Sequence, residues 1–338
     1  MNKKIVFIAD FFAEHILGGG ELNNEEVILA FREKQYEVLK IQSHLVKLDF
    51  LKQNKDCFFI VANFINLQQD CRDFLKKVDY IIYEHDHKYI RSRNPATYKN
   101  FKAPERDLLN YHFYKNAKAV LCQSSFHKEI VEKNLNLKNI INLSGNLWSP
   151  SSLKKMREIS KRNKKDVCSI MNSNISHKNT DGSIRFCISK SLKYELISSS
   201  NYFDFLEQLG SNRKFIFLPK TTETLSRVIV EARMMGCSVL ANDLVGATRE
   251  PWFKLKGEDL INYMIEKRNE IFSVIESFVK TPIKKKTNPL VSIITTFHKG
   301  EKFLNNFMLN MVEQSCFKDC ELILVDAGSP KKEKQIIK

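Results

Sequence analysis

Short apolar runs alternate with amphipathic stretches along the first half of the chain, in the order KKIVFIAD, ELNNEEVILAFREKQ, YEVLKIQS, CFFIVANF, VDYIIYEHD, AKAVLCQSS and KNIINLSGN. Runs of about four to eight β-formers separated by helical periodicity predict βα units and a parallel sheet buried on both faces. Residues 1–150 are therefore read as one doubly wound α/β domain. The stretch SPSSLKKMREISKRNKKD, residues 149–166, is polar and basic, and its shift in composition marks the passage to a second domain. Over 151–280 the runs VCSIMNS, a helical SIRFCISKSLKYELISS, KFIFLPK, RVIVEARMMGC and SVLAND repeat the order β, α, β, α, β, and an amphipathic segment over 258–280 closes the series. The lysine- and proline-containing TPIKKKTNP reads as an exposed linker over 281–288. A third start, LVSIITTFHKG, EKFLNNFMLNMVEQS and ELILVDAGS, fills 289–338 with a strand, a helix and a strand. That is too short for an independent domain of this kind.

Composition narrows the class. Of 338 residues, 43% are hydrophobic and 28% charged, which fits a globular protein and excludes a collagen-like, low-complexity or wholly disordered chain. Lysine and arginine total 54 against 39 acidic residues, and the net charge of +15 favours polyanionic partners: phosphates, nucleic acid or an acidic membrane surface. No apolar run approaches the ~18 residues that span a bilayer, and acidic residues interrupt the start before a signal-peptide core forms, so a cytoplasmic protein is expected. The eight cysteines show no CxxC pair and no zinc spacing, and read as reduced, mostly buried small hydrophobes. The basic runs at 154–165, 284–286 and 331–338 lack interleaved aromatics, and nucleic acid is not an expected partner. They are either solvated linkers and a tail or a peripheral contact with anionic membrane, worth about 1 kcal/mol per basic residue.

Three segments carry candidate chemistry. Gly18, Gly19, Gly20 and Glu21 follow the first strand and precede a helical pattern, so close backbone approach and a helix N-terminus together suit an anion. A flexible turn is the bland alternative. The spacing is neither GxGxxG nor a GKS/GKT loop, which disfavours a dehydrogenase and a P-loop nucleotidase. His85, Asp86 and His87 stand at the end of an apolar strand, where open α/β sheets place their ligands; sugar contact, a polar catalytic role and a purely structural role all remain, while metal lacks further ligands at suitable spacing. Glu223 and Glu231 are eight residues apart in FLPKTTETLSRVIVEARMMGC. Were both helical they would differ by about 80° around the axis; with the helix starting near Glu223 they lie ~12 Å apart. Carboxylates accept paired hydrogen bonds from vicinal diols, so one could hold a sugar ring and the other a ribose. Glu231 stands among apolar neighbours, where an unpaired carboxylate would be costly.

ETLSRVIVE, a glutamate, seven residues and a glutamate before a helix, a small-residue turn and a strand, resembles the signature of GT-B glycosyltransferases, especially the large retaining family 4. The resemblance implies two Rossmann-like domains facing a cleft, the first on the acceptor side and the second holding a nucleotide-sugar donor. It places Glu223 on the donor hexose, Glu231 on the ribose, and the amides near Thr224 and Leu225 by the diphosphate. More weakly, over residues 1–280, GGGE, YEHDH, LCQSSFHKEIV and MNSNISHKNTDG match family segments, which brings Gly19 and Gly20 to the substrate, His85 or His87 near the transferred sugar, and Lys178 to the diphosphate. Ser173 stands where the family carries an arginine, with His177 or Arg185 as substitutes. The implied activity is transfer of a hexose to a glycan, a lipid-linked or a similar acceptor with retention, without metal or other cofactor beyond the nucleotide-sugar co-substrate. The alternative is a non-catalytic sugar-nucleotide or glycan-binding module that positions a downstream enzyme.

The third start resembles the opening of a GT-A glycosyltransferase of family 2, with Thr295, Thr296, Phe297 and His298 in its turn and Asp326, Gly328 and Ser329 after its second strand. By that resemblance Phe297 stacks on a base and Asp326 accepts a hydrogen bond from it. The sequence stops before the metal-binding Asp-x-Asp of such a domain, so it reads as an incomplete βαβ portion of a longer two-enzyme polypeptide.

Overall fold

The computed structural model describes residues 4–280, 291–314 and 320–329. Residues 1–281 and 282–338 form two separate compact units. The first unit carries two parallel sheets. Strands β1 (Ile5–Ala9), β2 (Val38–Gln42), β3 (Phe58–Val61), β4 (Tyr80–Tyr83), β5 (Val120–Cys122) and β6 (Ile140–Asn142) form one sheet in the order β2-β1-β3-β4-β5-β6. Strands β7 (Lys165–Met171), β8 (Tyr194–Ile197), β9 (Asn212–Phe217) and β10 (Ser238–Ala241) form the other in the order β10-β9-β7-β8.

The continuous apolar runs follow from burial on both faces. Every residue of β1, β3, β4 and β5 is buried. Alternate side chains enter opposite cores: Val6, Ile8, Phe59, Val61 and Ile82 on one face, Ile5, Phe7, Phe58, Ile60 and Ile81 on the other. In register, Ile8 stands beside Ile41 on one side and Val61 on the other. Each sheet reverses its direction of winding once, between β1 and β3 and between β7 and β9. In open α/β sheets such switch points open a crevice at the carboxyl ends of the strands.

The second lobe departs from its expected layout in three places. The basic stretch expected to be a linker is largely the helix Pro150–Ser160, because Leu153, Met156 and Ile159 make a buried stripe beneath its lysines. Ser149 caps it by accepting the Ser152 amide, and Pro150 occupies its first turn. SIRFCISKSLKYELISS is helical only over Thr180–Ser189; after a turn with Ser191 at φ 50° the chain becomes the half-exposed strand β8. A further helix, Tyr202–Ser211, follows, so the lobe runs β, α, β, α, β, α, β.

The helix Glu258–Lys280 belongs to both lobes. Its Leu260, Ile261 and Met264 join the core of the second, whereas Ile271, Phe272, Ile275 and Val279 join that of the first. Phe272 packs on Phe31 at 4.9 Å between ring centroids, and Tyr36 donates to Glu276 at 3.0 Å. Packing thus returns to the first lobe well before residue 280, because the second half of this helix is apolar on the face that lobe needs covered.

In the second unit, β11 (Val291–Phe297) and β12 (Cys320–Asp326) pair in parallel beside the helix Glu301–Glu313. Ile294, Phe303, Leu309 and Val312 remain exposed, because a βαβ unit of this size cannot bury its own faces. The Asp326 carboxylate accepts the Ser329 amide at 2.8 Å and so closes its own loop. The 281–288 linker and the basic runs at 284–286 and 331–338 lie outside the described residues. Among the described residues no helix is long and apolar enough to cross a membrane.

Candidate functional site between two lobes

A cavity of about 530 Å3 opens at the carboxyl ends of the strands of both lobes of the first unit. On the first-lobe side the chain leaves β1 through Asp10, whose carboxylate accepts the amides of Ile65 at 3.1 Å and Asn66 at 3.2 Å and so ties the loops after β1 and β3 together. The helix Gly19–Glu33 then begins at the cavity wall. None of Gly18, Gly19 and Gly20 has a positive φ; their use is close approach. A Cβ on Gly19 would stand 3.2 Å from the Arg227 side chain of the other lobe, and one on Gly20 would stand 3.6 Å from the His85 ring.

On the second-lobe side, two loops deliver charge. Lys178 ends the turn Ser176–Lys178 after β7, and its Nζ donates to Glu223 Oε1 at 2.8 Å. Glu223 is held by backbone: its amide donates to Leu244 O at 2.8 Å and its carbonyl accepts the Gly246 amide at 2.9 Å. Ser226 then adopts the left-handed region, φ 73°, and the helix Arg227–Met234 starts. Glu231, one turn in, is 3% exposed, and its Oε1 accepts from Trp148 Nε1 at 3.0 Å and Tyr202 Oη at 2.7 Å, with Arg227 Nε at 3.4 Å. Burial and the Glu231 charge hold the Tyr202 phenol protonated, well above its ordinary range.

Most of the residues singled out in the sequence meet here. Gly19, Gly20, His85, Lys178, Glu223, Thr224 and Glu231 all line the cavity. Two others do not. Leu225, singled out for its backbone amide, has its side chain fully buried in the second-lobe core, and its carbonyl accepts the Ala247 amide at 3.0 Å. His87 is 1% exposed and off the lining; its Nδ1 engages Tyr89 Oη at 2.8 Å and its ring abuts His127 at 5.0 Å between centroids. The expectation that either histidine reaches the sugar is corrected for His87: the chain turns with φ 58° and sends the ring inward.

His85 is on the wall but is not a free base. Its Nε2 pairs with Asn24 Oδ1 at 2.8 Å and its Nδ1 with Gln123 Nε2, so both ring nitrogens are engaged. Burial pushes its pKa down to about 4, leaving the ring neutral near pH 7. Its carbonyl accepts from Thr224 Oγ1 at 3.0 Å, one of several ties between the lobes. Another is Glu250, which accepts the Ser125 amide on one oxygen and Ser144 Oγ on the other.

Ser173 lines the cavity, but His177 and Arg185, the candidates to replace the missing arginine, are exposed and off the lining. The cation that sequence reasoning passed over is Arg227. The signal available was its place four residues before Glu231 on a mostly apolar helix, the spacing of an ion pair. Tyr202 was hidden in a helix that the sequence reading missed. Among the described residues no group of three or more His, Cys, Asp and Glu side chains is placed to hold a metal ion.

No family model matches the chain, and no curated protein sequence does either. Among solved structures it is similar to an alpha-glucosyltransferase in complex with UDP and a 13-mer DNA containing an HMU base, at 12% identity and TM-score 0.44 over 82% of this chain and 95% of that one. It is also similar to Anabaena Alr3699/HepE in complex with UDP and glucose, at 13% identity and TM-score 0.46 over 82% and 95%. A third is the lipopolysaccharide outer core galactosyltransferase WaaB in its apo form, at 13% identity and TM-score 0.43 over 82% and 96%. These values are too low to transfer a ligand or a residue role, and the site is argued from its own geometry.

Proposed function

We propose that the first unit is a glycosyltransferase of GT-B type, resembling family 4, that moves a hexose from a nucleotide-sugar to a glycan, lipid-linked or similar acceptor. The observation that carries this reading is convergence: glycines from one lobe, and Lys178, Glu223 and Glu231 from three separate stretches of the other, line one cavity. Glu231 receives its protein donors on Oε1, so ribose hydroxyls would bond the other oxygen. Glu223 would hold the hexose, and Lys178, now paired with it, would turn to the diphosphate. In the reaction the bond from the anomeric carbon to the diphosphate oxygen breaks and one to the acceptor oxygen forms, while the acceptor proton passes to the departing diphosphate. The neutral, doubly engaged His85 supports a wall role over proton transfer, and this supports retention with the leaving group as base. Lysine and helix amides would stabilise the leaving charge without a metal.

The test is thermal stabilisation by UDP-, GDP- and ADP-sugars, since a ligand at 100 times its Kd adds about 2.7 kcal/mol. Stabilisation by none of them would sink the reading. A stabilising donor then enters hydrolysis and transfer assays with and without chelator, with the product anomer assigned by NMR. Saturable binding without turnover would mark a non-catalytic binding module instead. The second unit resembles a strand-helix-strand of GT-A glycosyltransferases, in which Phe297 and Asp326 would meet the base. A cytoplasmic enzyme meeting lipid-linked acceptors at an anionic membrane face would bind vesicles through its basic runs.

A further inference from the structure

We infer that Arg227 is the second cation on the donor's diphosphate, acting with Lys178 from the first turn of the helix Arg227–Met234. This rests on the cavity being a nucleotide-sugar site. The position where the resemblance expects an arginine holds Ser173, and neither His177 nor Arg185 faces the cavity. Arg227 does, from a different element. Its stem lies against the first-lobe helix start, where Gly19 leaves it room, and its guanidinium stacks on Trp148 at 4.6 Å from the ring centroid.

Two observations separate a ligand-facing role from a structural one. Arg227 is only 8% exposed: Nη1 donates to Leu147 O at 2.5 Å, and Nε lies 3.4 Å from Glu231 Oε1 as an ion pair that falls short of hydrogen-bond geometry. Beside it the Ser226 hydroxyl, also 8% exposed, has no partner: Ser226 takes the N-cap position in the left-handed conformation on the cavity wall without a side-chain cap bond. A buried hydroxyl without a partner is rare, and this one stands beside the guanidinium at a helix N-terminus, where the partial positive charge and free amides suit a phosphate. Charge balance points the same way. Lys178 and Arg227 are each paired with a carboxylate, Glu223 and Glu231, so the four groups cancel. A diphosphate entering the cavity needs both cations, and the guanidinium fork can hold a phosphate while keeping its carboxylate partner.

The alternative is that Arg227 only positions Glu231. Calorimetry distinguishes the two with UDP, GDP or ADP, whichever binds tightest, the matching nucleoside, and inorganic pyrophosphate. Arg227→Ala should weaken the nucleoside diphosphate and pyrophosphate by about tenfold or more, as loss of a charged hydrogen bond does, while the nucleoside changes by less than about twofold. Arg227→Lys should recover part of the loss, and Lys178→Ala should show the same selectivity. Arg227→Met keeps the apolar stem on Trp148 and replaces the alanine variant if that does not fold. Equal losses for nucleoside and nucleoside diphosphate would overturn the inference while leaving the functional reading standing. Failure of the unaltered protein to bind any of the three diphosphates would remove that reading and this inference with it.

Discussion

Two buried side chains set the sharpest expectations at the scale of single residues. Glu231 is held by an indole, a phenol and a guanidinium, so Glu231→Ala removes charged hydrogen bonds and should raise the donor Kd by about tenfold or more. Donor binding unchanged in calorimetry would contradict its assignment to the ribose. His87 makes a different prediction. Burial pushes its imidazole down to about 4 from the usual 6.5, so the folded protein holds it neutral where the unfolded chain would be charged. The unfolded state then binds more protons, and stability is full above about pH 6.5 and declines as pH falls toward 4, by an amount on the order of 3 kcal/mol for a fully buried histidine. Asparagine tolerates the left-handed backbone here, so His87→Asn should lessen the fall in urea midpoint between pH 6.5 and 5, the remainder coming from His85 and His127, which burial also holds neutral. An unaltered slope would show that His87 is not buried as described. The glutamate pair was legible because its spacing is fixed along the chain. For Arg227 the letters offered only the i,i+4 spacing to Glu231; its place on the cavity wall depends on Gly19 and Trp148, distant in sequence, meeting around it.

Elements were legible where one physical cue dominated. The strands β1, β3, β4 and β5 announce themselves by unbroken apolar runs, since both faces are covered. Strand β8 hides at a sheet edge, its half-exposed YELI reading as the tail of the preceding helix. The helix Pro150–Ser160 was masked by its own lysines, although its Ser-Pro cap and its stripe of Leu153, Met156 and Ile159 were present in the letters. The helix Glu258–Lys280 was read as an element, but periodicity gives no hint that its two ends serve different cores. Ile271→Ala should therefore cost about 2 to 5 kcal/mol, as large-to-small changes in a core do. The loss should appear as reduced hydrogen-exchange protection in β1 and β3 of the first lobe. Loss confined to the second lobe would refute the shared-core packing.

At the scale of the whole first unit, the two lobes are bound by bonds whose partners lie far apart in sequence. Glu250 is the clearest: buried in one lobe, it accepts from Ser125 and Ser144 of the other. Glu250→Ala strands those donors, each charged hydrogen bond being worth about 1.5 to 3 kcal/mol. The variant should melt earlier and show a raised donor KM, because the cavity walls come from both lobes. A lowered melting temperature with KM unchanged would separate lobe docking from donor binding.

The same seam holds the chain's two tryptophans, Trp148 and Trp252. Trp148 sends its indole N–H to Glu231 and Trp252 sends its own to the Ser144 carbonyl at 2.9 Å. Tryptophan emission from this molecule, excited beyond the tyrosine band, therefore originates beside the cavity and at the junction, so nucleotide arrival or a rocking of the halves would register as a change in fluorescence colour or yield, without any attached dye.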